Sequence, residues 1–496
     1  MFSCLNYKML LLCALLITFF GSCKKFLEMP LKDKLPQDNL FSDEQGFMDA
    51  LTGVYLGMGK TASGADKGLY THDLTMGMLS VMVNNYPNAS TSPLNDGLFA
   101  NVSKFDYEQV GVKQEIRSIW SSMYNNIANL NNLLTYIDAK EGIFTRDYYY
   151  RVKGESIALR ALFHFDLARM FGQSPAIGMN ERAIPYVRVF SAQATPMVPL
   201  GSALDSCIAD LIQAKDLLAK ADTSKLNGGT SDLFSSYTQN RMNYWATKAL
   251  LARVYLYKGD VVKAKQMAME VIGSKKFPLS TSNVAVATAS VRDRLFSGEL
   301  IFSLYSTNLK TNNEALFNVG SGSPLQLPLA SKNAIYGTTA PFDWRLSWFD
   351  NNSRGTNVPS KYFQDANLPY DLQNIVPLIR ISEMYYIVAE CENIAGNLSV
   401  GANYLNQVRM ARGLNPLAPS ETQDAVTLSN EISKEYKKEF IQEGQSFFYY
   451  KRLNKDLKIE TGTTMQVPEN AYVFPIPDKE NEYNPQRKEV TKILFH

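Results

Sequence analysis

Two glycine-joined pairs of helical patterns constrain this chain's fold more than any other feature of its sequence. Tyr244–Tyr257 and Val261–Ile272 carry apolar residues at helical spacing and are joined by Lys258-Gly259-Asp260. Ile381–Ala395 and Val400–Arg412 form a second pair, joined through Gly396-Asn397. Ala252, Gly259 and Ala264 stand at offsets of seven and twelve, and Ala389, Gly396 and Gly401 repeat those offsets. Small side chains at such positions let two antiparallel helices approach closely, while the glycine supplies the turn.

Other helical patterns extend the frame. Asp43–Met58 is a first helix with Ser42 as its expected N-cap, and Phe47, Ala50, Leu51 and Val54 share one face. Gln114–Tyr136, Tyr148–Phe171 and Leu204–Leu218 follow, and a final long helix is expected from about Leu428 to Leu453. Trp120 and Trp245 lie on apolar helix faces and read as core, and Tyr148-Tyr149-Tyr150 reads as helix packing. Loop-rich stretches occupy about 59–111 and 274–374; the second contains strand-like Glu299–Tyr305. The predicted fold is mostly α, a scaffold of helical hairpins with long loop-rich insertions and a few short strands. Leu251-Ala252-Arg253-Val254-Tyr255, then Gly259, Ala264 and Ala268, resembles a tetratricopeptide repeat. The second pair matches less well, with Glu392 where the first has Tyr255, and a generic helical hairpin is the competing reading. Repeats of this kind usually serve as scaffolds for contacts.

The amino terminus has a different character. Lys8 precedes the apolar run Met9–Phe20, and small residues follow it, the form of a secretory signal peptide. The run is shorter than the roughly 20 apolar residues needed to span a bilayer. It ends in Phe20-Gly21-Ser22-Cys23, which resembles a bacterial lipobox with Phe where Leu is usual. The resemblance implies cleavage before Cys23 and lipidation of its thiol; each buried lipid methylene contributes about 0.8 kcal/mol to anchoring. The expected organisation is a signal peptide over 1–22, a lipidated tether over 23–42, and a single domain over 43–496.

A chain of 496 residues that is 45% hydrophobic can bury a large core. Its formal net charge is +2 and it has no run of Lys and Arg, so an electrostatic nucleic-acid interface is not indicated. Beyond the expected signal and lipidation sites, two cysteines remain, Cys207 and Cys391. Both fall in apolar helical patterns and read as core thiols; whether they pair stays open.

Catalytic patterns are weak. His72, His164 and His496 are the three histidines, and none has metal-ligand spacing. There is no GxSxG elbow and no Gly-rich phosphate loop, so no cofactor and no metal are expected. Glu439 and Glu443 are one helical turn apart, as a paired-carboxylate hydrolase could require. They share their predicted helix with Lys437 and Lys438, and ion pairing with neighbours is the preferred reading.

Four stretches stand out: Ser22–Glu28; Leu378–Glu390; Asn406–Leu414; and Glu439–Gly444 through Lys451-Arg452, with Phe474-Pro475-Ile476-Pro477 and Asn484-Pro485. Together they resemble the SusD/RagB family of outer-membrane nutrient-binding lipoproteins. They run in the family's order along the chain. Ser446 and Tyr449 depart from the Arg and Asp that family members often carry there, and Lys24 and Lys25 are basic where surface-displayed lipoproteins are often acidic. The resemblance implies four tetratricopeptide-like helix pairs with a ligand face built from long loops. It also implies a lipid-anchored protein at the outer membrane, facing the exterior, and a SusC-like TonB-dependent transporter as partner. The ligand it implies is an oligosaccharide or polysaccharide; a peptide or other nutrient is the alternative, and a surface hydrolase a more distant one.

Sugar binding needs flat aromatic surface and amide, carboxylate or guanidinium groups. Asp73 and Asn84-Asn85-Tyr86 supply these in the first loop region, and Trp344-Arg345, next to Asp343 and Trp348, in the second. A competing reading makes Trp344 and Trp348 loop-anchoring core aromatics.

Overall fold

The structure is a computed structural model and describes residues 37–59, 68–92, 97–221, 232, 234–280, 291–317, 325–338, 343–351, 357–458, 464–465, 467–468 and 471–483. The expected signal peptide, Cys23, most of the tether, Asn484-Pro485 and His496 lie outside these residues.

Helices α1 (Glu44–Met58), α2 (Val110–Ile137), α3 (Tyr148–Phe171), α4 (Leu200–Lys220), α5 (Tyr244–Lys258) and α6 (Val261–Gly273) come first. After α7 (Leu309–Phe317) and α8 (Leu329–Tyr336) the array resumes with α9 (Ile381–Ile394), α10 (Leu398–Ala411), α11 (Ala425–Glu439) and α12 (Gln445–Leu453). Each of α1 to α6 lies against the next, α6 lies against α9, and α9 packs on α10 and α11. This is a stacked series of helix pairs, α1/α2, α3/α4, α5/α6 and α9/α10. Among the described residues, no helix is long and apolar enough to cross a membrane.

Local chemistry explains the helix ends. Asp43, and not Ser42, caps α1: its carboxylate accepts from Gly46 N, while the Ser42 hydroxyl donates to Asn39 O. Asn243, Asp260 and Asp424 cap α5, α6 and α11 in the same way. The small-residue spacing has the expected consequence. Ala252, Ala264 and Ala389 are fully buried, and a Cβ on Gly401 would stand 2.8 Å from the Ala389 carbonyl oxygen. Cys207 and Cys391 are buried and unpaired with each other.

The expected final long helix is broken. Helix α11 stops at Glu439 and α12 starts at Gln445, with Gln442 at φ 64° and Gly444 at φ 71° between them. A Cβ at Gly444 would lie 1.9 Å from Leu74 O, so both the left-handed backbone and the close approach require glycine. Phe440 and Ile441 continue the apolar pattern across the break, which hides it in the sequence.

The strands form two-stranded ribbons: β1 (Arg182–Pro185) with β2 (Met197–Pro199), β3 (Leu300–Tyr305) with β6 (Ile375–Arg380), β4 (Phe349–Asn351) with β5 (Asn357–Pro359), and β7 (Leu457–Lys458) with β8 (Thr464–Met465). The β3–β6 ribbon is antiparallel, pairing Leu300 with Arg380 at one end and Tyr305 with Ile375 at the other. The two loop-rich regions are insertions into the helical array, one between α1 and α2 and one between α6 and α9. They meet: Asn312 Nδ2 donates to Thr71 Oγ1 at 2.9 Å, Tyr86 packs edge-on against Phe317, and Gln326 N donates to Asn88 Oδ1 at 2.8 Å.

Candidate functional site

The acids suspected of catalysis sit where the recognisable motifs converge. Glu439, at the end of α11, is fully buried. Its Oε1 accepts from Arg380 Nη1 and Arg412 Nη2, both at 2.6 Å, and its Oε2 from Arg345 Nη1 and Arg412 Nε, both at 3.0 Å. Three guanidinium groups therefore hold one carboxylate. Arg412 also forms a two-pronged contact with Glu299 at 2.8 Å. Arg345 grips Asp343 and, at 2.7 Å, Glu435. Glu443 accepts from Lys361 Nζ at 2.6 Å and from Arg380 Nε at 3.0 Å. The partners expected from local spacing, Lys437 and Lys438, are not the ones that hold Glu439 and Glu443.

Burial opposes ionisation of Glu435, but Arg345, Lys438 and Arg409 outweigh it and hold the carboxyl at about 2. Glu439 is likewise held well below the usual carboxylate range, by Arg412 and Arg380 against the cost of burial. Burial pushes Lys361 down to about 8 against the pull of Glu443. Its ammonium also donates to the Glu439 and Ile441 carbonyls and lies 3.6 Å from the centre of the Trp348 ring. A hydrolytic acid must be able to give up or accept a proton at the substrate. Glu439 is sealed from solvent and fixed as an anion, so the arrangement joins β3–β6, the 343–348 turn and the C-terminal helices instead of presenting a reactive group.

The predicted ligand residues divide into two groups. Asp73 is buried beside His72, whose Nδ1 lies 2.6 Å from it. Asn85 and Tyr86 are buried, and Arg345 belongs to the ion network. Asn84 and Trp344 are partly exposed. Asn84 has φ 55°, a left-handed conformation that asparagine tolerates better than most residues. Trp344 N donates to Arg412 O at 3.0 Å, and a Cβ on Gly413 would come within 2.3 Å of its indole nitrogen. Asn84–Tyr86 therefore belong to the meeting of the two insertions, and Trp344-Arg345 to the ion-paired junction. Trp348 is fully buried and donates to Arg294 O at 2.6 Å, as the core-aromatic reading expects. The His164 imidazole is buried with one nitrogen at Arg160 O and the other accepting from Val187 N, so both are used by backbone.

In the sequence Arg380 and Arg412 stand out only as parts of motifs, Glu299 only as the first residue of a strand, and Lys361 not at all. A signal was present: Arg380 stands between Ile379 and Ile381 in an apolar strand, where a charge must find a buried partner.

Comparison with known proteins agrees with this architecture. The SusD family profile matches residues 349–493, which include most of the ion network. A second profile, described as starch-binding associating with outer membrane, matches residues 84–256. A SusD-like carbohydrate binding protein from Bacteroides vulgatus has 17% identity and a TM-score of 0.69 over 90% of this chain and 97% of its own. A SusD superfamily protein from Bacteroides fragilis has 20% identity and a TM-score of 0.67 over 90% and 99%. Another from Bacteroides thetaiotaomicron has 18% identity and a TM-score of 0.63 over 89% and 98%. At these identities the likeness is one of fold. No curated protein matches the chain. Two SusD-type family models thus match the chain in order, over residues 84–256 and 349–493, and its fold is that of solved SusD superfamily proteins over nine-tenths of its length.

Proposed function

We propose that this protein binds a carbohydrate at the outer membrane and delivers it, chemically unaltered, to a SusC-like TonB-dependent transporter. The profile over residues 84–256 carries this reading, because its description joins starch binding to the outer membrane. The solved carbohydrate binding protein with the same fold supports it. The burial of Glu439 and Glu443 in ion pairs supports binding without hydrolysis.

The anchor in this reading is a lipid on Cys23 after removal of residues 1–22, which follows from the lipobox-like Phe20-Gly21-Ser22-Cys23. The ligand face lies on the two insertions. Of the six residues predicted for it, Asn84 and Trp344 are partly exposed, while Asp73, Asn85, Tyr86 and Arg345 are buried.

Calorimetry with starch-derived and other oligosaccharides, on the form lacking residues 1–23, tests the reading. Saturable binding without turnover, weakened by Asn84→Ala or Trp344→Ala with the fold intact, is the expected result. Binding of peptides in place of sugars would replace the ligand class. Mass spectrometry of the cellular protein should find an acylated Cys23, and purification from outer membranes should bring a large β-barrel with it.

A further inference from the structure

Aromatic side chains in this protein are mostly buried. Among the described residues the exposed ones are Phe190, Tyr305, Phe363 and Tyr370. Three of these four belong to one stretch of surface, the open end of the β3–β6 ribbon. Tyr305 ends β3 and pairs with Ile375, the first residue of β6. Asn374, just before β6, places its amide 3.5 Å from the Tyr305 hydroxyl, and its backbone N–H donates to the Gln364 side chain at 2.8 Å, next to Phe363. Tyr370, 67% exposed, stands with its ring centre 6.3 Å from that of Tyr237. Tyr237 comes from the loop before α5, whose next residues, Thr238–Asn240, pack on β3.

Tyr237 of this cluster is held in an unfavourable backbone conformation, at φ 49°; Asn374, of a residue type that tolerates the left-handed region, has φ 61°. A bulky residue in the left-handed region is an outlier, and such strain persists where the surroundings over-determine it. Phe105 and Phe296 share that conformation with rings buried in the core, and Arg146 and Lys275 share it on the surface. The Tyr237 ring lies only partly buried at this surface, so core burial does not account for its position.

We infer that Tyr237, Tyr305 and Tyr370, with Asn374, form a platform for an uncharged saccharide. Phenol rings offer faces to the C–H surfaces of pyranose rings, and phenol hydroxyls and an amide offer donors and acceptors to sugar hydroxyls. The charged residues of the 363–374 stretch, Asp365 and Asp371, are acidic and disfavour an anionic glycan, while Arg294, whose guanidinium lies 5.2 Å from the centre of the Phe363 ring, is buried and paired with Asp350. This inference rests on the carbohydrate reading above and adds to it residues that the loop-composition argument did not include.

The test uses the full chain in detergent, run through native gels containing soluble starch, xylan or mixed-linkage β-glucan. Wild type should be retarded by at least one of these. Tyr370→Ala and Tyr305→Ala should each weaken retardation by about tenfold, the size expected for losing one aromatic contact, with the melting temperature unchanged. Nitration by tetranitromethane followed by peptide mapping gives a second readout: Tyr305 and Tyr370 should react in the free protein and be shielded by the retarding polysaccharide. Retardation that survives both substitutions, with no shielding, would overturn the platform and leave the carbohydrate reading standing. A wild type retarded by none of the three polysaccharides would overturn both.

Discussion

The α5/α6 hairpin and the C-terminal junction solve the same problem, bringing helices together, with opposite chemistries. The hairpin does it by subtraction: Ala252 and Ala264 remove side-chain bulk, Gly259 turns the chain at φ 90°, and apolar contact does the rest. The junction does it by adding charge, burying Arg345, Arg380 and Arg412 around Glu439, with Glu299, Glu435 and Asp343 as counter-charges. Apolar packing tolerates exchanges of similar volume. A buried ion network does not, because removing one member strands the others without water. The motifs that make the chain recognisable are thus largely motifs of assembly. In the proposed function the ligand surface is built from other residues, which this framework leaves free to differ between relatives of the same fold.

Breaking the junction should cost the most. Arg412→Ala leaves Glu299 and Glu439 short of a partner and should lower stability by about 3–5 kcal/mol in urea unfolding. Acid should find the same weakness. The folded Glu435 carboxyl is held at about 2, below its ordinary 4.5. Its contribution is therefore complete above about pH 4.5 and is lost as the pH falls toward 2. Stability of wild type should decline more steeply over that window than stability of Glu435→Gln, measured by denaturant midpoints at each pH. The steric counterpart in the α9/α10 pair should be milder. Gly401→Ala drives a methyl against the Ala389 carbonyl and should cost about 1–3 kcal/mol, with no dependence on acid in the same window.

The helical array was legible because its signals are local. Tyr148–Phe171 coincides with α3, and the pairs around Gly259 and Gly396 fall within a few residues of their observed ends. Strand β3 was visible in Glu299–Tyr305 for the same reason. The network was not legible, because its members are far apart in the chain: Glu299 and Arg412 by 113 residues, Arg345 and Glu439 by 94. Nothing in the neighbourhood of Glu439 announces its partners, and Lys437 and Lys438 offered nearer ones. The Phe440–Gly444 break was hidden similarly, since its cause is a backbone contact with Leu74. Among the ligand candidates, loop composition could name Asp73, Asn85, Tyr86 and Arg345 but could not tell a side chain facing outward from one turned into the core.

The central claim is that the paired acids of the C-terminal motif hold the fold and perform no chemistry. Glu439→Gln tests it most directly, with thermal unfolding and polysaccharide turnover measured on the same preparations. The account predicts a lower melting temperature for the variant and no hydrolysis by either protein. Turnover by wild type that vanishes in Glu439→Gln, with the melting temperature unmoved, would contradict it.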